Sequence, residues 1–545
     1  MNQNLVAEWS FTSDRAYADP FNDVELDVTF TGEDGVGRNV PAFWAGGDVW
    51  SVRFATPVPG RYHYRTVCSD PANLGLHDVQ GTFDVEQYRG DNPLLAHGPI
   101  RCSPDGRHFQ HADGTPFLWL ADTWWMGLCS RLAWPQDFQR LALDRLDKGF
   151  NVVQIIAGLY PDMPPFYPGG ANEAGFPWTE DYSRINRDYF DMADRRIRYL
   201  VEIGLTPCIF GCWGYFAKFM GVEKLKKHWR YLVARYGAYP VVWSLAGEGI
   251  LPYYEDELWG KWDLYTPAAR ADWTEIGAYV RAIEPFGRLI TIHPPNYMDI
   301  TLGGHNIVDD RSLLDFDMLQ TAHGSMNHGW HSVQSIRYAR EMTPPMPVLQ
   351  GEGFYENILE QCREETQRWF FWSSMLSGAA GHSYGANGIW QINTADEPFR
   401  GNPIGAHWGD TPLDKAASSP GSAQLGVGKS ILEGYEWWLL EPHQEWIEAS
   451  PANPMISADH ADAMQPYAAG IPGKLRIIYA PLHDAYSSLV AVRGMEQGIN
   501  YNVFYVNPSN GTRHGCGPAQ VDSEGRWRPS TPPSTRDWLI VMEAV

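Results

Sequence analysis

Between residues 112 and 438 the chain repeats one pattern: a short apolar run, a polar turn, then a stretch with apolar positions every three or four residues. Short apolar runs bounded by turn residues mark strands buried on both faces, and the longer period marks amphipathic helices. Eight runs qualify, at 117–121, 152–156, 206–210, 241–245, 289–292, 316–319, 348–350 and 378–382. Helical stretches at 188–203 and 222–236 lie between some of them. Eight strand–helix units of this kind predict an α/β fold, a (β/α)₈ TIM barrel rather than a doubly wound sheet.

On either side the apolar period drops to two. Within residues 1–90, runs at 24–30, 50–54, 59–67 and 81–85 are separated by Gly and Asp turns. Within 439–545, runs at 475–479, 488–492, 502–506 and 538–542 do the same. Each flank is expected to be a β-sandwich. Residues 91–111, which contain Pro and Gly, are expected to link the first sandwich to the catalytic barrel at 112–438.

Length and composition narrow the function. A chain of 545 residues exceeds one hydrophobic core, in keeping with three domains. No apolar run reaches the roughly 18 residues of a spanning helix, and the first residues lack the basic-then-apolar pattern of a signal peptide. Seven cysteines, an odd number without a framework, fit a reducing cytoplasm. The net charge of −23 argues against nucleic-acid and membrane partners. The 24 Trp and 27 Tyr residues instead suit a carbohydrate substrate, whose C–H faces pack on aromatic rings.

Cleavage of a glycosidic bond needs one carboxylic acid to protonate the leaving oxygen and a second carboxylate beside the anomeric carbon. In a barrel, such groups sit at the C-terminal ends of strands. Two apolar runs end that way: Val241-Val242-Trp243-Ser244-Leu245-Ala246-Gly247-Glu248 and Pro347-Val348-Leu349-Gln350-Gly351-Glu352-Gly353. Glu248 and Glu352 are therefore the candidate catalytic pair, with Glu356 a competitor for Glu352. The ends of the other strands supply candidate substrate-binding residues: Asp122, Trp124, Trp125, Gln154, Trp213, His293, Asn296, Gln320, His323, Tyr384 and Trp390. The aromatic-rich insertion from Tyr160 to Tyr182 is long enough to be a lid that favours exo-action on a short glycan or glycoside.

Trp243–Glu248, Gly351–Glu356 and the run from Ala380 to Trp390 together resemble the apiosidase-like (β/α)₈ glycoside hydrolases of clan A. Trp9–Val85 is similar to that family's N-terminal β-sandwich, and Asp537–Val541 to the closing strand of its collagen-binding-type C-terminal domain. The resemblance implies a retaining glycosidase with the acid/base after strand four, the nucleophile after strand seven, and no cofactor or metal. The residue before the acid/base is commonly Asn in the clan and is Gly247 here. Two other readings stay open at this level: a glycan-binding barrel without turnover, and a metal-dependent barrel enzyme. Cys208 and Cys212 with the histidines at 323, 328 and 331 are a poor zinc set, because Cys208 lies within an apparent strand and no second close Cys pair exists. Homo-oligomerisation is also open.

Overall fold

The computed structural model describes residues 1–323, 328–399, 401–449, 463–481 and 489–545. Its centre is a parallel eight-stranded barrel: β1 (Trp119–Trp124), β2 (Val152–Ile156), β3 (Thr206–Phe210), β4 (Val242–Ser244), β5 (Ile290–Thr291), β6 (Asp317–Gln320), β7 (Val348–Glu352) and β8 (Gly381–Tyr384). Pairing runs continuously from β5 through β1 and β8 to β6. The seam between β5 and β6 is closed by bonds that include Asp315 N–H to the Ile290 carbonyl at 2.8 Å, Ile290 N–H to Asp315 Oδ2 at 2.7 Å, and Thr291 Oγ1 to the Phe316 carbonyl at 2.9 Å.

Helices such as α1 (Gln136–Asp147), α2 (Arg187–Glu202) and α3 (Val222–Tyr236) cover the outer face, as do Trp262–Ile283, Gly329–Glu341, Glu364–Leu376 and Pro420–Glu433. Between β5 and β6 the repeat breaks. Two 3₁₀ turns, Gly304–Asn306 and Arg311–Leu313, replace the expected helix. Pro294, Pro295, Gly303 and Gly304 explain this, since Pro lacks the amide that a helix needs and Gly disfavours it entropically.

Residues 91–111 are built into the barrel rather than spanning open space. They hold the turn Pro93–Ala96 and two strands, Ile100–Cys102 and Phe109–His111, of a small antiparallel sheet. Phe109 packs on Trp119 and Phe316, 5.2 Å from each ring, and so plugs the base of the barrel.

The N-terminal domain pairs a three-stranded with a four-stranded antiparallel sheet around Leu26, Val28, Phe30, Val52 and Phe54. It docks on α2 and α3 through polar contacts as well as apolar ones. Arg53 reaches Asp194 at 2.5 Å, and Asp194 also accepts from Arg235 at 3.0 Å, with all three side chains buried. The C-terminal domain carries a six-stranded sheet, a two-stranded sheet and their own core of Ile478, Val503, Trp527 and Ile540. Arg368 anchors it to the barrel through both oxygens of Asp537, at 2.7 and 2.9 Å. The run expected at 488–492 forms the strand Leu489–Val492; residue 488 lies outside the described residues. No described helix is long and apolar enough to cross a membrane.

Candidate active site

Side chains along a strand alternate between the barrel interior and the helix layer. That alternation sorts the candidate residues. On β1, Asp122 and Trp124 turn outward: Arg145 of α1 donates to Asp122 Oδ2 at 2.6 Å, and the Trp124 indole N–H donates to the same oxygen at 2.8 Å. Both residues are fully buried there, so neither reaches a ligand. Thr123 turns inward, where Gln154 Nε2 donates to its hydroxyl at 3.2 Å and to the Gly351 carbonyl at 3.1 Å. Ser383 donates to Gln154 Oε1 at 2.9 Å. Gln350 Nε2 donates to Thr321 Oγ1 at 2.7 Å and to the Glu352 carbonyl at 2.8 Å. These bonds make a polar floor that ties β1, β2, β7 and β8 together. Gln154 therefore supports the site from below.

Above this floor, a cavity of about 260 Å³ opens at the C-terminal ends of the strands. Glu248 and Glu352 both line it, together with Trp125, Trp213, His323 and Trp390. Glu352 ends β7 and is 4% exposed. His323 Nε2 stands 3.2 Å from its Oε1, and Gln320 Nε2 donates to that oxygen at 3.2 Å. His293 Nε2 approaches Oε2 to 3.2 Å without the alignment of a full hydrogen bond. Burial works to raise the Glu352 pKa, but the two histidines outweigh it and hold the carboxyl at about 2. His323 responds in the opposite sense: burial lowers it, and the adjacent Glu352 charge brings it above the usual histidine value.

Glu248 follows β4 with φ of 43°, in the left-handed region that a non-glycine residue rarely adopts. Strained backbone of this kind persists where surrounding structure imposes it, often at functional sites. Burial, then the negative charge of Glu352, pushes its carboxyl up to about 8. Gly247, the departure from the clan pattern, has a structural cause. A Cβ there would stand 2.2 Å from the Trp213 ring, so the indole occupies the volume that an Asn side chain would need.

The remaining candidates lie elsewhere. Tyr384 faces the helix layer and donates to Glu356 Oε2 at 2.5 Å, while Gly421 N–H donates to Glu356 Oε1 at 3.0 Å. Glu356 thus meets the N-terminal turn of the helix Pro420–Glu433, where a negative charge is favourable. Asn296 sits in the loop after β5 and does not line the cavity.

Several lining residues escaped the sequence reading: Asp162 after β2, Tyr254 and Trp259 after β4, Tyr355 after β7, and Asn402 and Trp408 after β8. The expected lid contributes only its first residues, Pro161 and Asp162. Farther on, the same loop packs against the N-terminal domain, with Phe21 and Trp178 rings 5.7 Å apart and Asn22 donating to the Ser183 carbonyl at 2.9 Å. The N-terminal Trp44 and Trp50 line a separate small recess against α3 rather than the cleft.

An eight-stranded barrel whose strand ends surround an aromatic cleft with buried carboxylates belongs, as a class, with the (β/α)₈ glycoside hydrolases. Solved structures agree on the fold. One described as a glycoside hydrolase aligns with 84% of this chain and 98% of its own, at 21% identity and a TM-score of 0.64. A family 5 glycoside hydrolase from Bacteroides vulgatus ATCC 8482 aligns over 84% and 95%, at 20% identity and a TM-score of 0.66. A second protein from that organism covers 100% of this chain and 99% of its own, at 17% identity and a TM-score of 0.68. No curated protein matches by sequence. The Apiosidase-like catalytic domain family matches residues 103–439, and a domain of unknown function, DUF5060, matches residues 3–69. The chain belongs to the apiosidase-like family and is a glycosidase.

Proposed function

We propose that this glycosidase works by retaining double displacement on a short glycan or glycoside, with Glu352 as nucleophile and Glu248 as acid/base. One observation carries the reading: two carboxyls lining one cavity are driven in opposite directions, to about 2 and about 8. Pairs of titratable groups pushed apart in this way mark acid and base assignments. At neutral pH, Glu352 is ionised and can attack the anomeric carbon, forming a glycosyl-enzyme as the bond to the leaving oxygen breaks. Glu248 is protonated and can give its proton to that oxygen. Once the intermediate has formed, the charge on Glu352 is gone. The Glu248 carboxylate, relieved of that repulsion, can take a proton from water as the water attacks.

The walls suit a sugar. Trp125, Trp213, Trp390 and Trp408 offer apolar faces, and the indole N–H groups of Trp213 and Trp390 have no partner among the described residues. The cavity, about 260 Å³ with Pro161, Asp162, Asn402, Ile404 and Trp408 in its lining, is of a size that suits exo-action on a terminal sugar. A panel of aryl furanosides and pyranosides tests the reading. Turnover of at least one member, lost in Glu352→Gln, is expected. Binding without turnover across the whole panel would favour a non-catalytic glycan-binding role.

A further inference from the structure

The cavity holds a third carboxylate that neither catalytic role uses. Asp162 lines it beside Glu248 and Glu352 and is only 9% exposed. Among the described residues no cation forms an ion pair with it; the Tyr254 hydroxyl donates to Oδ1, and the Trp408 indole and the charge of His323 also favour its ionised form. A buried carboxylate with no ion pair of its own is costly unless hydrogen bonds satisfy its remaining lone pairs. The backbone at Asp162 is also held in the left-handed region, with φ of 58°. Burial moves its carboxyl up to about 6, against the hydrogen bond from Tyr254 and aided by the charge of Glu352. Such a group, lining a cleft, is a site for substrate hydroxyls.

We propose that Asp162 is the specificity anchor of the cleft, accepting hydrogen bonds from hydroxyls of the sugar whose anomeric carbon meets Glu352, and that it restricts the enzyme to neutral glycones. The proposal rests on the glycosidase reading above. Tyr254 holds one oxygen and orients the carboxylate, which lines the cavity with acceptor capacity to spare. A uronic acid would bring a fourth carboxylate among Asp162, Glu248 and Glu352, and this repulsion selects against it.

The test compares wild type, Asp162→Asn, Asp162→Ala and Tyr254→Phe on the best neutral aryl glycoside, on its monodeoxy analogues and on the matching uronide. Asn tolerates the left-handed backbone as well as Asp does, so the first variant keeps the fold. Loss of a hydrogen bond to a charged acceptor predicts a roughly 10- to 100-fold fall in kcat/KM for Asp162→Asn. Tyr254→Phe should lose less, and a chain carrying both Asp162→Asn and Tyr254→Phe should lose less than the product of the two. At one ring position, deoxygenation should penalise wild type and leave Asp162→Ala indifferent. Wild-type kcat/KM retained by Asp162→Asn, a uronide cleaved as readily as its neutral counterpart, or azide rescue of Asp162→Ala would each overturn the proposal. The last would make Asp162 the acid. A wild type that turns over no glycoside at all would instead defeat the glycosidase reading on which the proposal depends.

Discussion

Protonation at single residues governs both activity and stability. Glu248 stays protonated in the folded chain up to about pH 8, whereas an ordinary glutamate ionises near 4.5. Between those values the folded state holds a proton that the unfolded chain releases. The stability contributed by this group is present below about 4.5 and is lost as pH rises through about 8. Glu248→Gln should therefore raise Tm relative to wild type above pH 8 and change it little at pH 5, as read by thermal scans. Glu352 runs the other way, its contribution being present above 4.5 and lost as pH falls toward about 2. The pH profile of kcat/KM should show a basic limb near 8 that belongs to Glu248. In Glu352→Gln, carbon NMR should find the Glu248 carboxyl titrating at lower pH, because the neighbouring charge has gone. An unchanged value would show that the two groups do not interact. Asp122 offers a contrast. Its replacement by Ala leaves buried Arg145 with Asp144 as its one remaining ion-pair partner among the described residues and the Trp124 indole unpaired, so a loss of about 2–3 kcal/mol in chemical unfolding is expected, with KM at permissive temperature unaffected.

The level of elements explains what could be read in the chain and what could not. Apolar runs ending in a carboxylate were legible at β4 and β7, because burial on both faces makes a parallel strand uniformly apolar and its end abruptly polar. Which face a strand-end side chain takes was not legible. Asp122, Trp124 and Tyr384 all follow or end strands, yet each points to the helix layer, one residue out of phase with Thr123, Trp125 and Ser383. Asp162, Tyr254 and Trp408 reach the cavity from loops, whose course is set by tertiary packing rather than by local period. The aromatic density of those loops was their one signal. The contact between the β3 and β4 loops gives a further prediction. Gly247→Asn, which restores the clan residue, should collide with the Trp213 ring and lower both Tm and kcat/KM. Trp213→Ala in the same chain should recover much of the lost Tm. If Gly247→Asn alone melts like wild type, the steric account of this position is wrong.

At the scale of the whole molecule, both flanking domains pack on the barrel. The Arg53–Asp194–Arg235 cluster and the Phe21–Trp178 contact join the N-terminal sandwich to α2, α3 and the loop that delivers Asp162. Removing residues 1–90 would leave Asp194 and Arg235 without Arg53 and uncover apolar surface. The truncated chain is expected to melt lower or aggregate, as seen by light scattering and a thermal scan. Monodisperse protein with unchanged Tm and full activity would make this domain an independent module. Cleavage by the barrel is proposed to pass through a covalent intermediate on Glu352, with Glu248 as acid/base. Proton NMR of the first-formed sugar, recorded before mutarotation on the best glycoside of the panel, tests it most directly. The account predicts a product with the anomeric configuration of the substrate; an inverted first product would contradict it.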